Sequence, residues 1–276
     1  MENNNKIAIQ GIKGSYHHVV AELYFGKSVK ILPCSSFDEL VNSILDNSAS
    51  QGIMAIENSI AGSIIPNYAL IDQNNLKIVG ERYLQIEHCL LAIKSQKIED
   101  IIEVQSHPMA LLQCKSFFSN YPNIKLVESN DTAESALNIS KNKIYGKAAI
   151  GTYMAAELYN LSILEKSIQT ISNNVTRFVV IQKKRSSDLT KYNKAALKFI
   201  LDHKRGSLAT VLNVMSDCKL NLTKIQSLPI IETPGKYSFF VDVTFDSPSD
   251  FEKAESILKI MALELKIFGR YFNGVK

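Results

Sequence analysis

Four short segments carry the side chains best suited to chemistry, and they share a bias toward hydroxyls and amides over strong acids and bases. In Gly11-Ile12-Lys13-Gly14-Ser15-Tyr16, two glycines stand between a strand pattern and a helix pattern. Glycine lets the backbone turn tightly there, and free N–H groups at a helix start hold anions. A tight turn with Ser15 as N-cap is the structural alternative, and the G-x-G-x-x-G spacing of a dinucleotide site is absent. Glu57-Asn58-Ser59, followed by Gly62, puts three polar side chains at the carboxyl end of an apolar strand. That is where α/β sheets usually bind ligands, although Asn58 or Ser59 would also cap a following helix.

The third segment is Ser106-His107-Pro108, then Gln113-Cys114. Ser106, with proline two residues on, reads as a helix start. Ser106 and Gln113 are two helical turns apart and would share a face. Capping accounts for Ser106 and leaves Gln113 unexplained. The fourth segment is Asn174-Val175-Thr176-Arg177-Phe178. Strand alternation puts Asn174, Thr176 and Phe178 on one face and Arg177 on the other; arginine suits a bidentate grip on a carboxylate. The chain has no paired acids in a motif, no H-E-x-x-H, no G-x-S-x-G and no P-loop. The pattern argues against hydrolase chemistry and for a reaction that needs modest help.

The elements that must position these groups alternate over the first 180 residues. Strands are expected at 7–10, 29–32, 52–56, 76–79, 89–93, 101–105, 124–127, 148–150 and 175–181, with helices at 15–25, 36–45, 108–118, 131–140 and 152–159. Such alternation implies an α/β region with largely parallel pairing. Residues 183–194 (KKRSSDLTKYNK) have little to bury and read as a linker. Beyond them the order βαββαβ over 195–276 matches a ferredoxin-like α+β unit. The expected organisation is therefore an α/β domain over 1–182, a linker over 183–194 and a small α+β module over 195–276.

The 276 residues, 46% of them hydrophobic, suffice for two cores. A net charge of +4 without a dense basic stripe excludes an obvious nucleic-acid binder. No apolar run approaches the ~18 residues of a membrane span, and the polar start has no signal core, so a cytoplasmic protein is expected. Cys34, Cys89, Cys114 and Cys218 are scattered without a CxxC pair, which suits reduced thiols and no metal site.

Read in order, the segments resemble the prephenate dehydratase family over the whole length. G-x-x-G-S-Y resembles its N-terminal signature, and Ile56-Glu57-Asn58-Ser59-x-x-Gly62 its E-N-S-x-x-G motif. Val104-x-Ser106-His107-Pro108-x-Ala110-x-x-Gln113-Cys114 is similar to its S-H-P-x-A-x-x-Q-C segment. Asp131-Thr132-Ala133, Ala155-Ala156-Glu157-Leu158-Tyr159 and Asn174-x-Thr176-Arg177-Phe178 complete the set. The resemblance implies two lobes like a periplasmic binding protein, residues 1–78 plus the last strand in one and 80–170 in the other. It implies loss of carbon dioxide and water from prephenate to give phenylpyruvate, with no cofactor. Thr176 would contact or protonate the leaving hydroxyl, and Asn58 and Gln113 would hold the substrate, with Ser106 and Arg177 as helpers. Ser59, Gly14, Ser15 and His107 are further substrate-side candidates. Arogenate dehydratase is a sister reading, and a non-catalytic binding sensor a more distant one. A fused chorismate mutase is not expected, as the first strand begins at Lys6. Ile12 and His17 depart from the family's usual proline and serine.

The C-terminal module resembles an ACT domain. Gly206-Ser207-Leu208-Ala209 is like its G-A-L-V loop, and Asn221-Leu222-Thr223-Lys224-Ile225-Gln226-Ser227-Leu228-Pro229 is similar to N-L-T-x-I-E-S-R-P. The resemblance implies an amino-acid site drawn from Gly206, Ser207, Leu208, Asn221, Leu222 and Ser227, phenylalanine as effector, and a homodimer or homotetramer. Gln226 and Leu228 replace the family's charged pair.

Overall fold

The computed structural model describes residues 5–184, 191–230, 233 and 236–274, so 185–190 of the expected linker lie outside the described residues. In chain order the elements are β1 (Lys6–Gln10), α1 (Tyr16–Phe25), β2 (Lys30–Cys34), α2 (Phe37–Leu45), β3 (Gln51–Asn58), β4 (Gly62–Ser63), α3 (Ile65–Gln73) and β5 (Lys77–Gln85). Next come β6 (Cys89–Ala92), β7 (Glu103–Ser106), α4 (Pro108–Gln113), α5 (Lys115–Phe118), β8 (Lys125–Glu128), α6 (Thr132–Lys141), β9 (Lys147–Gly151), α7 (Tyr153–Leu158), β10 (Ser162–Glu165) and β11 (Val175–Gln182). The chain ends with β12 (Lys194–Ile200), α8 (Ser207–Asp217), β13 (Asn221–Pro229), β14 (Tyr237–Thr244), α9 (Pro248–Met261) and β15 (Glu264–Tyr271).

The described chain divides into two compact units, 1–64 with 83–178, and 65–82 with 179–276. The first holds two lobes. One lobe is built on the sheet order β2-β1-β3-β11-β5, with β4 beside β3. β1 pairs in parallel with β2 and β3, and Ile7, Ile9, Ile53, Ala55 and Phe178 pack against Val20 and Ala21 of α1. β5 runs on to Gln85, so the crossing to the other lobe comes after 85 rather than at 79.

The other lobe has the order β10-β6-β9-β7-β8. β7 is parallel to β8 and β9, while β6 is antiparallel to both β9 and β10. The expected parallel pairing thus fails at β6. That strand enters the sheet straight from β5, with no crossover helix to turn it into its neighbours' direction.

Other departures have local causes. α3 was not expected: Pro66 sits in its first turn, and only Asn67, Tyr68 and Ile71 are buried, too few for a periodic apolar stripe. β10 is four residues long and half-buried throughout most of its length. The helix expected over 108–118 breaks at Cys114 (φ −102, ψ 4) into α4 and α5.

The four-stranded sheet of the second unit, in the order β13-β14-β12-β15, is antiparallel throughout. This is the pattern of a βαββαβ module. Ala195, Leu197 and Phe199 of β12 alternate into a core with Val211 and Met215 of α8 and Phe251, Ala254 and Leu258 of α9. The intervening Lys194 and Lys198 meet acids of the 65–82 stretch. Lys194 Nζ lies 2.9 and 3.0 Å from the two carboxylate oxygens of Glu81, and Lys198 Nζ lies 2.8 Å from Asp72. The four cysteines are free thiols and buried. No helix among the described residues is long and apolar enough to cross a membrane.

Candidate active site

A cavity of about 300 Å³ within the first unit receives side chains from both lobes, among them Asn58, Thr176 and Phe178 from one and His107, Gln113 and Asp131 from the other. Its polar wall is one continuous hydrogen-bonded chain. Asn58 Nδ2 donates to Thr176 Oγ1 at 2.9 Å and to Asn174 Oδ1 at 2.7 Å. Asn174 Nδ2 donates to Gln113 Oε1 at 2.9 Å. The same oxygen lies 2.8 Å from His88 Nε2, and His88 Nδ1 lies 2.7 Å from the Tyr16 hydroxyl.

The orientation of the three amides in this chain follows from two backbone groups. Asn58 Oδ1 accepts from the N–H of Ile60 (3.0 Å) and of Ala61 (2.9 Å), which forbids an amide flip. Its Nδ2 must therefore face Asn174 and Thr176. Asn174 then presents oxygen to Asn58 and nitrogen to Gln113, and Gln113 presents oxygen to both Asn174 and His88. Two donor functions are left over. Thr176 Oγ1 accepts from Asn58, so its own O–H is directed elsewhere, and the Gln113 Nε2 hydrogens have no acceptor among the described residues. Both side chains line the cavity. These two donors suit a developing negative charge on oxygen, beside the Asp131 carboxyl on the same lining.

Helix starts add to this polarity. α1, α4 and α6 all begin at the cavity, through Ser15, His107 and Asp131 as their N-caps. Ser15 Oγ accepts from His18 N, leaving the N–H groups of Tyr16 and His17 without a helical acceptor. Asp131 spends Oδ1 on the N–H groups of Ala133 and Glu134. Burial raises its pKa above the ordinary carboxylate value, against the pull of those two bonds. His17 is buried between Phe37 and Phe178, and burial lowers its pKa to about 3.

The other expected site residues sit differently. Ser106 has no exposed surface and donates to the Ile150 carbonyl at 2.8 Å. It ends β7 rather than starting a helix; His107 is the cap, its Nδ1 accepting from Met109 N. Ser106 and Gln113 therefore do not share a helical face. Arg177 is buried on the opposite side of β11 from Thr176, its guanidinium 3.9 Å from Glu57. Ser59 Oγ bonds Val175 N and Asn173 O, tying the end of β3 to the start of β11. Gly14 is a clasp between lobes: its carbonyl accepts from Thr152 Oγ1 at 2.6 Å, and the neighbouring Lys13 carbonyl accepts from Tyr159 OH.

Sequence reasoning missed His88, and it assigned no part to Tyr16 or Asn174. His88 stands in the three-residue link between β5 and β6, where no motif was sought. A polar residue in the shortest connection between two lobes was the available signal.

In the second unit a cavity of about 110 Å³ lies at the start of α8, lined by Ser207 and Leu208 with Asp202, Lys204 and Lys236. Asn221, Leu222 and Ser227 lie on the edge strand β13 and do not line it.

Two lobes facing one cavity, with the Thr176 hydroxyl and the Gln113 amide hydrogens left over for it, define a candidate small-molecule site. The family model for prephenate dehydratase matches residues 7–186. The bifunctional chorismate mutase/prephenate dehydratase of Buchnera aphidicola subsp. Schizaphis graminum is 34% identical over 267 residues, 95% of this chain and 69% of that protein. The arogenate dehydratase/prephenate dehydratase 2 of Arabidopsis thaliana, a chloroplastic protein, is 33% identical over 96% of this chain and 72% of its own length. Among solved structures, Arthrobacter aurescens prephenate dehydratase in complex with L-Phe superposes with a TM-score of 0.86 at 22% identity, covering 98% of this chain and 90% of that one. GqqA, described as a novel type of quorum-quenching acylase, has a TM-score of 0.86 at 25% identity over 97% of both chains. The chain belongs to the prephenate dehydratase family. It is a lyase of phenylalanine biosynthesis that converts prephenate to phenylpyruvate.

Proposed function

We propose that the donor wall of the cavity carries out the decarboxylating dehydration of prephenate, with Thr176 as the group facing the departing hydroxyl. The C1–carboxylate bond breaks and leaves its electron pair in the ring, and the C4–oxygen bond breaks with its pair on oxygen; the departing hydroxide takes a proton from solvent to become water. Because the ring becomes aromatic, the driving force is internal. The protein has only to orient the dianion and stabilise charge on the leaving oxygen.

The observation that carries this reading is the Asn58–Thr176 bond. By accepting from an amide whose orientation is fixed, Thr176 keeps its single proton for the substrate. A threonine is too weak an acid to release that proton freely, so its part is hydrogen-bond assistance. Gln113 Nε2 and the open N–H groups of α1 hold the anionic oxygens, and Ser15 and His107 shape the wall between them. Ser106, Ser59 and Gly14 act on the site through the backbone they fix, and Arg177 through the strand that carries Thr176.

The module over 195–276 is read as an ACT domain that senses phenylalanine in a homodimer or homotetramer. The Phe-bound Arthrobacter relative supports this, as does the cavity at Ser207 and Leu208. The domain bounds 1–182 and 195–276 and a cytoplasmic location belong to the same reading. The test is phenylpyruvate release by the purified protein from prephenate, with arogenate in parallel and phenylalanine present or absent. Release from prephenate, slowed by phenylalanine, is expected. Turnover of arogenate alone would move the assignment to the sister reaction, and equal rates with and without phenylalanine would remove the sensing role.

A further inference from the structure

We propose that His88 and Tyr16 are positioning residues: together they lock the Gln113 amide with its oxygen turned inward and its two hydrogens turned to the substrate. The proposal rests on the dehydratase reading above and names residues to which that reading gave no part.

Gln113 is held through other side chains, at the far end of the row from the backbone groups that fix Asn58. Asn58 is held by two backbone N–H groups, and Asn174 by Asn58. Gln113 Oε1 receives one bond from Asn174 Nδ2, and a second donor at the same oxygen strengthens the hold on its direction. His88 Nε2, at 2.8 Å, supplies that donor only if it carries the ring proton. In a neutral imidazole the other nitrogen must then be an acceptor.

The Gln113 oxygen calls for this tautomer, and Tyr16 completes it. Its hydroxyl lies 2.7 Å from His88 Nδ1 and 2.9 Å from the Glu87 carbonyl, and one proton can serve only one of them. With the ring proton on Nε2 of a neutral ring it goes to Nδ1. His88 is 3% exposed, and burial, the largest cause, lowers its pKa, so the ring is neutral near pH 7. Burial likewise holds the Tyr16 phenol well above its ordinary value, which keeps it a donor. An imidazolium would fit the same heavy-atom positions: Nδ1–H would donate to Tyr16, Tyr16 would donate to Glu87, and Nε2–H would still hold Gln113. In either state the amide keeps its direction. The arrangement also spans the lobes, since Tyr16 opens α1 whereas Gln113 ends α4.

Two measurements test this. Nitrogen NMR of the ligand-free protein should show His88 with its proton on Nε2 near pH 7; a proton on Nδ1 overturns the proposal, whatever the substrate proves to be. Kinetically, His88→Leu should lower kcat for prephenate roughly 100-fold, the scale of a misplaced binding group, with KM changed less than about threefold. His88→Gln offers an N–H at a similar reach and should recover roughly tenfold of that loss. Equal kcat for His88→Leu and wild type, or no recovery in a folded His88→Gln, overturns it. Should His88→Leu fail to fold, Tyr16→Phe carries the same question: removal of the phenol proton should lower kcat roughly tenfold and shift the ring toward the other tautomer. An inactive wild type would defeat the dehydratase reading alone, because the tautomer is measured without substrate.

Discussion

At the scale of single residues, the candidate site is arranged by subtraction: each amide consumes its neighbour's acceptor until the Thr176 hydroxyl and the Gln113 amide hydrogens are left to the cavity. Thr176 is the end of that sequence. Thr176→Val keeps the shape and removes the hydroxyl, so turnover should fall by roughly two to four powers of ten with the fold intact. Steady-state kinetics and a thermal melt check this, and near-normal turnover would end the threonine's role. His17 gives a different kind of test. Its folded pKa of about 3 lies below the ordinary 6.5. Between those values the unfolded chain binds a proton that the folded chain refuses, so stability is full above pH 6.5 and falls as pH drops. The loss from this one group between pH 7.5 and 5 is about 2 kcal/mol. His17→Phe keeps a ring between Phe37 and Phe178 and should flatten that part of the urea-denaturation profile. His18 and His88 carry shifts of the same sign and keep the remainder. An unchanged profile would place His17's ring in water. Thr176, Asn58 and Gln113 were legible in the sequence because each stands in a dense motif. His88 was not, because a lone histidine between two strands has no spacing to read.

At the scale of elements, what brings the two lobes to one cavity is the loop before α1. Gly14 has φ +87, and a Cβ there would lie 3.0 Å from Ala155 Cα and 3.1 Å from Ala155 Cβ. Gly14→Ala therefore meets both backbone strain and a helix that cannot yield, since Ala155 is itself fully buried in α7. The variant should lose about 1–3 kcal/mol of stability and weaken prephenate binding, as the Thr152 and Tyr159 bonds to this loop loosen. Urea denaturation and KM report the two effects; a wild-type midpoint would show that the loop moves freely past α7. The strand–helix alternation that frames this loop was visible in the sequence, as was the cap Ser15. The reversal of β6 was not, because periodicity records which face is buried and not which way a strand runs. α3 was hidden for a related reason: its apolar residues follow no stripe, and its buried members include Asn67.

At the scale of the whole molecule, the second unit is made from two stretches far apart in sequence, and local pattern has no access to such a union. The bounds read from composition start the C-terminal module after a linker, yet 65–82 packs with it. The buried pair Glu81–Lys194 joins the stretches: the two side chains are 0% and 2% exposed, and Glu81 Oε1 also accepts from Gly274 N at 2.9 Å. A buried ion pair gains little over an apolar pair of similar size, because desolvation offsets the attraction, but breaking it strands a charge. Lys194→Met alone should therefore destabilise the protein by about 3–5 kcal/mol, whereas the double variant Glu81→Leu/Lys194→Met should recover most of that loss. Urea denaturation of the two single variants and the double variant gives the coupling directly. Additive losses would mean that each charge is satisfied by water or by other partners, and that the union of the two stretches rests on apolar contacts such as Tyr68 against Phe240. A large recovery would make the pair a device that ties β12 to the 65–82 stretch.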